Sequence, residues 1–201
     1  MTSKHQYSLF HEILEEKRVD FVTLDLETGG PKYGILQLSA QVLDMSGNQI
    51  GKFFNQYVKP KSDAVFFDET VKVHGLHNND PRLKEANEMN VIWSQFVAFV
   101  NCSIPDDYVG VLVAWNGQSC DLDWIYRIMK DPNWKVDDAI LPQQCPYFMD
   151  PMHVIRSSKS CAIHLAKSQI LNLKLQTVFE YLAGEEMVSP HNAMFDVMAQ
   201  T

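Results

Sequence analysis

The sequence predicts an α/β domain built on one mixed sheet: an antiparallel three-strand meander extended by parallel strands, with helices on both faces. Three observations lead there. Three strand-like segments follow one another near the start of the chain, separated by glycine-containing turns. After them, apolar residues at helical spacing alternate with short strand-like runs, the order expected of an α/β domain. One of those runs, Val109 to Ala114 (VGVLVA), is apolar without interruption, as suits a strand covered on both faces.

Each element has its own reason. Ser8 to Arg18 places Leu9, Phe10, Ile13 and Leu14 at helical spacing with charges opposite, which predicts a short amphipathic helix. Val19, Phe21, Val22, Thr23 and Leu24 form a β-branched and aromatic run, a buried strand, which ends in the turn Gly29-Gly30-Pro31. Ile35 to Leu43 alternates Leu36, Leu38, Ala40 and Val42 with Gln37, Ser39 and Gln41, which predicts a half-buried strand. Ser46-Gly47-Asn48 is a hairpin turn, and Ile50 to Val58 returns as the third strand. Lys59 to Pro81 reads as irregular.

Glu88 to Val100 reads as a helix with Val91, Ile92, Phe96, Val97, Phe99 and Val100 as its apolar positions. Leu122 to Met129 is helical in spacing, Asp131 to Gln144 is a loop, and Tyr147-Phe148-Met149 is a short strand. Lys174 to Leu182 is a helix stopped by Gly184. His191 to Thr201 is the last element.

The 201 residues suit one domain, 46% hydrophobic and 21% charged, which is ordinary for a globular protein. A net charge of -8 argues against a general nucleic-acid coat, which would be basic. The start MTSKHQYSLF has no apolar stretch with a cleavage site, and no apolar run is long enough to cross a membrane. The four cysteines show no close-paired pattern. An intracellular protein of the nucleus or cytoplasm, not a secreted one, is expected.

Chemistry concentrates first at Asp25 and Glu27. Side chains at i and i+2 of a strand share a face, so both carboxylates project from one surface at the strand's C-terminal end. Such a pair repels itself and raises its own pKa values. A hard cation such as Mg²⁺ or Mn²⁺ relieves the conflict. Asp121 lies just past the end of the VGVLVA strand, after a loop carrying Asn116 and Gly117, and ligand sites in open α/β sheets gather at such strand ends. His191 and Asp196 are five positions apart, about 140° around a regular helix. They share a site only if His191 sits on the loop before the helix, and Pro190 supports a boundary there.

In these motifs the chain resembles the DnaQ-like exonuclease superfamily, in its DEDDh subgroup, and most closely the TREX and proofreading-subunit branches. The first family motif, D-x-E-T at a strand end, is matched by Asp25-Leu26-Glu27-Thr28; the second, an apolar strand then Asn and Asp, by VLVAWNGQSCD with Asn116 and Asp121. The third, H-x4-D, is matched by His191 and Asp196, and the family's Val-His-Gly segment by Val73 to Leu76. The order and approximate spacing also fit over nearly the whole chain. Gly29 stands where the family often has a second Thr, and Trp115 where it often has His; both departures bear on contacts to the terminal nucleotide.

The resemblance implies a ribonuclease H-like fold and a metal-dependent 3′–5′ exonuclease, with DNA favoured over RNA. The expected substrate is the 3′ end of a nucleic acid, single-stranded DNA first, and the products are nucleoside 5′-monophosphates. It implies two Mg²⁺ ions, for which Mn²⁺ can substitute, held by Asp25, Glu27, Asp121 and Asp196, with His191 as the base. Leu26, Thr28, Gly29, His74 and Asn116 would contact the last nucleotide. Relatives are often dimers, so a homodimer is among the expected states. One exonuclease domain over 1–201 is expected. Its end five residues after Asp196, where the family's last helix normally continues, fits a domain cut from a longer chain as well as a short one.

Each residue alone has an ordinary reading: Asp196 as an acid at a helix start, His191 as a surface histidine, Asn116-Gly117 as a turn, Asp121 as a cap. Chance would not set all of them in this order. The rival from another class is a nucleic-acid-binding or scaffolding domain that kept the fold and lost turnover; the intact acidic set argues against it. Cys145, His153, Cys161 and His164 are zinc-ligand types, but they lack the paired spacing of structural zinc sites, and packing is the better reading. Trp93 and Trp124 fall on apolar helix faces and are expected in the core, whereas Trp115 borders the acidic residues.

Overall fold

The computed structural model describes residues 18–30, 34–62, 64, 66–130, 142, 144–168, 170 and 172–200. The expected helix at Ser8 to Arg18 falls outside them except for Arg18, which already begins a strand, and most of the Asp131 to Gln144 loop is also outside.

Five strands form one sheet: β1 (Arg18–Thr28), β2 (Ile35–Leu43), β3 (Gln49–Tyr57), β4 (Tyr108–Val113) and β5 (Tyr147–Met149). They lie in the order β3-β2-β1-β4-β5. The first three pair antiparallel, while β1 with β4 and β4 with β5 pair parallel, which is the expected mixed sheet. The β2–β3 hairpin turns at Asp44, whose Oδ1 accepts from the backbone N–H groups of Ser46 and Asn48, both at 2.8 Å.

The two faces of the sheet differ. Val22, Leu24 and Leu26 of β1 and Leu38, Ala40 and Val42 of β2 share one face, covered by Ile92, Trp93, Phe96 and Val100 of α3 (Met89–Ser103). α1 (Asp68–His74) and α2 (Pro81–Lys84) precede it. Ile125 of α4 (Asp121–Lys130) joins the same core. Val91 is exposed rather than packed, and Trp93 takes the buried place on that helix. Trp124 packs partly buried against this core, its ring under the Arg127 guanidinium.

The other face of β1 and β2 carries Thr23, Asp25 and Glu27 opposite Gln41, Ser39 and Gln37. Here the expectation of a half-buried β2 fails: all nine of its residues are buried. The polar alternation faces not water but α8 (Ala193–Ala199), the last helix, which lies across β1 and β2. Gln41 donates to the Val197 carbonyl at 3.4 Å and Gln37 to the Asn192 side chain at 3.5 Å, so the glutamines seat that helix.

Four helices, α1, α2, α5 and α6, were not expected from the sequence. α1 sits in the segment read as irregular; none of its residues is buried, so it shows no apolar periodicity. Its signals are polar ones, Asp68 and Glu69 in the first turn and Gly75 at φ 72° as its left-handed end. α5 (Pro151–Ser157) and α6 (Lys159–Lys167) follow β5 and precede α7 (Leu175–Ala183). Among the described residues no helix is long and apolar enough to cross a membrane.

Candidate active site

β1 ends with Asp25 and Glu27 on the α8 face, and the first turn of α8 delivers Asp196 to them. One ligand oxygen from each of these three carboxylates lies within 4.8 Å of the others, and among the described residues no other such group exists. The helix start is well defined: Asn192 caps it by accepting from the N–H of Met194 at 3.2 Å. His191 stands just outside, exposed, with its backbone in the left-handed region at φ 65°. Its N–H donates to Asp196 Oδ1 at 3.2 Å. The loop-then-helix arrangement needed to bring His191 and Asp196 to one site is therefore present.

Asp121 opens α4 and is buried; its Oδ1 accepts from the backbone N–H of Leu26 at 3.1 Å. It thus grips β1 between Asp25 and Glu27, beside the three-carboxylate group rather than within it.

Crowding these acids in a dry setting is electrostatically costly. Burial, then repulsion from Asp121, Glu27 and Asp196, holds the Asp25 carboxyl well above its ordinary range. Burial, followed by Asp196 and Asp121, pushes Glu27 up to about 8. Burial raises Asp121 to about 7, against the pull of its hydrogen bond from Leu26. Burial raises Asp196 to about 6, offset by the His191 N–H. Oxygen donors in mutual repulsion at this spacing fit a hard divalent cation, which would reverse every one of these shifts.

The residues expected to contact a nucleotide lie on β1, in the turn after it, on α1 and in the loop after β4. Thr28 ends β1 and Gly29 follows it in the turn. The carbonyl of Gly29 accepts from the Phe67 N–H at 3.2 Å and the Thr70 hydroxyl at 3.2 Å, which docks α1 against the strand end. The two ring nitrogens of His74 are both engaged: Nδ1 accepts from the Leu76 N–H at 3.0 Å, and Nε2, in the matching tautomer, donates to the Thr28 carbonyl at 3.1 Å. Burial lowers its pKa, so the neutral ring acts as a brace between α1 and β1. Asn116 follows β4 in the left-handed region at φ 58°. Trp115 beside it donates its indole N–H to the Leu173 carbonyl at 2.9 Å.

The four zinc-ligand types do not converge. Cys145 is wholly buried in the main core, His153 lies on α5, and Cys161 and His164 are on α6, where His164 Nε2 sits 2.9 Å from the Tyr181 hydroxyl. One residue escaped the sequence reading. Asp150 is buried and its carboxylate receives the backbone N–H groups of Asn116, Gln118 and His153. Its signal was an Asp followed by Pro151 at a helix start, which predicts a cap but not a reach across to a neighbouring loop.

The family model for exonuclease (RNase T) matches residues 22–201. Comparison with curated proteins gave no match. Among solved structures, E. coli exonuclease I in complex with a dT13 oligonucleotide superposes with a TM-score of 0.67 at 20% identity, over 90% of this chain and 39% of that one. A 3′-exonuclease described in 3′-end-specific recognition of a histone mRNA stem-loop gives 0.60 at 14% identity, over 92% and 79%. Cell-death related nuclease 4 gives 0.59 at 13%, over 92% and 62%. The chain thus spans about two-fifths of the length of exonuclease I.

Proposed function

The chain belongs to the RNase T exonuclease family, and from that premise we propose that it is a metal-dependent 3′–5′ exonuclease of the DEDDh type. Its substrate is the 3′ end of a nucleic acid, single-stranded DNA ahead of RNA, and its products are nucleoside 5′-monophosphates. The observation that carries this reading is the convergence of Asp25, Glu27 and Asp196 within 4.8 Å, with His191 on the adjoining loop. The oligonucleotide bound by exonuclease I supports DNA as the first substrate to test.

Asp25, Glu27 and Asp196 would hold a divalent ion, Mg²⁺ or Mn²⁺, and Asp25 would share a second with Asp121 reaching it directly or through water. Such ions supply stabilisation of charge on the attacking and leaving oxygens at phosphorus. His191, exposed to solvent and tied by its backbone N–H to Asp196, takes the proton from the attacking water. The backbone of Leu26, Thr28 and Gly29, with Asn116, lines the place of the terminal nucleotide, and His74 fixes that backbone. The four cysteines are free thiols, which supports a reducing compartment, the nucleus or cytoplasm.

The test is a gel assay on 5′-labelled single-stranded DNA and its RNA counterpart, with Mg²⁺, Mn²⁺ or EDTA, wild type beside Asp25→Asn. A metal-dependent ladder shortening from the 3′ end, absent in the variant, is expected. No digestion of either strand with either metal would overturn the reading in favour of a binding domain of the same fold.

A further inference from the structure

Asp150 is only 5% exposed and lies between β5 and α5, far in sequence from every motif residue. As the residue before α5 it accepts from the His153 N–H at 3.3 Å, the bond of an ordinary helix cap. That bond uses a fraction of its capacity. Oδ1 also accepts from the Asn116 N–H at 3.0 Å, and Oδ2 from the Gln118 N–H at 3.4 Å. Both amides belong to the loop between β4 and α4.

That loop has reasons to need holding. Asn116 is left-handed, and a single 3₁₀ turn (Gly117–Ser119) follows. A side chain at Gly117 would run into the Phe148 ring and the Ala114 methyl, so the loop packs directly on β5. Amides turned inward at such a bend require a buried acceptor. The loop then leads through Cys120 into Asp121, whose carboxylate takes the Leu26 N–H between Asp25 and Glu27.

We propose that Asp150 is a positioning residue for the carboxylate centre: it clamps the Asn116–Gln118 loop so that Asp121 stays on the Leu26 amide. Its consequence for turnover rests on the exonuclease reading; its consequence for the Leu26 hydrogen bond does not.

The discriminating variant is Asp150→Ser. Serine caps a helix about as well as aspartate, yet its shorter side chain cannot span to the loop. A residue that only capped α5 would be replaced without loss. The positioning role instead predicts that the amides of Asn116, Gln118 and the remote Leu26 exchange hydrogen roughly tenfold faster by NMR, the equivalent of one lost hydrogen bond each, while His153 keeps its protection. It also predicts a fall in kcat of about 10²-fold, as for a site misplaced by about 1 Å, with KM for the oligonucleotide unchanged. Asp150→Asn, which keeps one acceptor oxygen and turns an N–H toward Gln118, should be intermediate in both, and it carries the test if the serine variant fails to fold. Unchanged exchange at Leu26 in the folded variant, or a KM change with intact kcat, would overturn the proposal. If the wild type digests nothing, the exonuclease reading falls, and exchange at Leu26 still decides the role of Asp150.

Discussion

Asp121 accepts a hydrogen bond from the backbone N–H of Leu26, 3.1 Å away, and Leu26 is the residue between Asp25 and Glu27. β4 ends opposite Thr23, so beyond that point β1 has no strand neighbour on this side. The Asp121 carboxylate stands where the next strand carbonyl would be. It satisfies the strand end beside the three-carboxylate group.

This gives the first prediction. Asp121→Ala leaves a buried amide unpaired and should cost about 1–3 kcal/mol in urea unfolding. Asp121→Asn keeps an acceptor for Leu26 and removes a like charge, so metal-free stability should hold or rise. Both should lose most nuclease activity. An alanine variant as stable as wild type would show that the Leu26 bond does not hold the strand end.

The second concerns pH. Glu27, Asp121 and Asp196 have folded-state values of about 8, 7 and 6, all above their ordinary carboxylate values. A raised folded pKa means that the native state binds protons more tightly than the unfolded chain. The associated stability is fully present below about pH 4 and is lost as pH rises through 6 to 8. In EDTA the Tm should therefore fall across that window. Saturating Mg²⁺ or Mn²⁺ should flatten the slope by replacing protons as the counter-charge. A Tm in EDTA that does not change between pH 5 and 8 would contradict the crowding of these acids.

The third concerns His191. It and Ser189, on either side of Pro190, both adopt positive φ, 65° and 46°. Such backbone costs of order 1–3 kcal/mol per residue and persists where the surroundings enforce it. His191→Ala should leave the fold intact and slow the chemical step by about 10²- to 10⁴-fold, measured in single turnover. A loss under about threefold would remove His191 from the role of base.

The fourth lies at the opposite end of β1. Asp20 is 1% exposed, and neither carboxylate oxygen has a hydrogen-bond partner. Burial, then the neighbouring Asp44, raises its pKa. It sits on the core face of the strand beside Gly110 of β4. Asp20→Val, of similar shape and better suited to a strand, should stabilise the protein by about 1–3 kcal/mol at pH 8 and leave nuclease activity unchanged. Reduced stability in chemical denaturation would mean that the carboxylate is compensated after all.

The strands were legible because each carries its own pattern. β2 and β5 run over the residues their composition marks, and β1, β3 and β4 differ only at their ends. α3 was legible because it buries an apolar stripe, and α4 and α7 because their apolar residues recur at helical spacing, although α7 buries only Val178 and leaves Leu182 exposed. α1 was not, since a helix with no buried residue leaves no stripe. The polar side of β2 was misread for a related reason: alternation reports which residues are polar, and a polar face can meet a helix as well as water. Gln37 and Gln41 bond to α8, and nothing local in the sequence distinguishes that from hydration.

The sequence by itself determined the identity of the acids and the pairing of two of them. Asp25 and Glu27 share a face because a strand repeats every two residues, whatever the rest of the chain does. Pro190 and the spacing also favoured a loop at His191 ahead of a helix holding Asp196, the condition for the two to share a site. Only the tertiary structure decided that Asp196 lies within 4.8 Å of the β1 pair, that Asp121 grips the strand rather than joining the three-carboxylate group, and that Asp150 holds the loop leading to it. The physical reason is the range of the forces involved. Strand and helix periodicity are set by neighbours in the chain. Carboxylate repulsion, amide satisfaction and the seating of α8 depend on distances across the sheet, which exist only once the strands have paired and the last helix has closed over them.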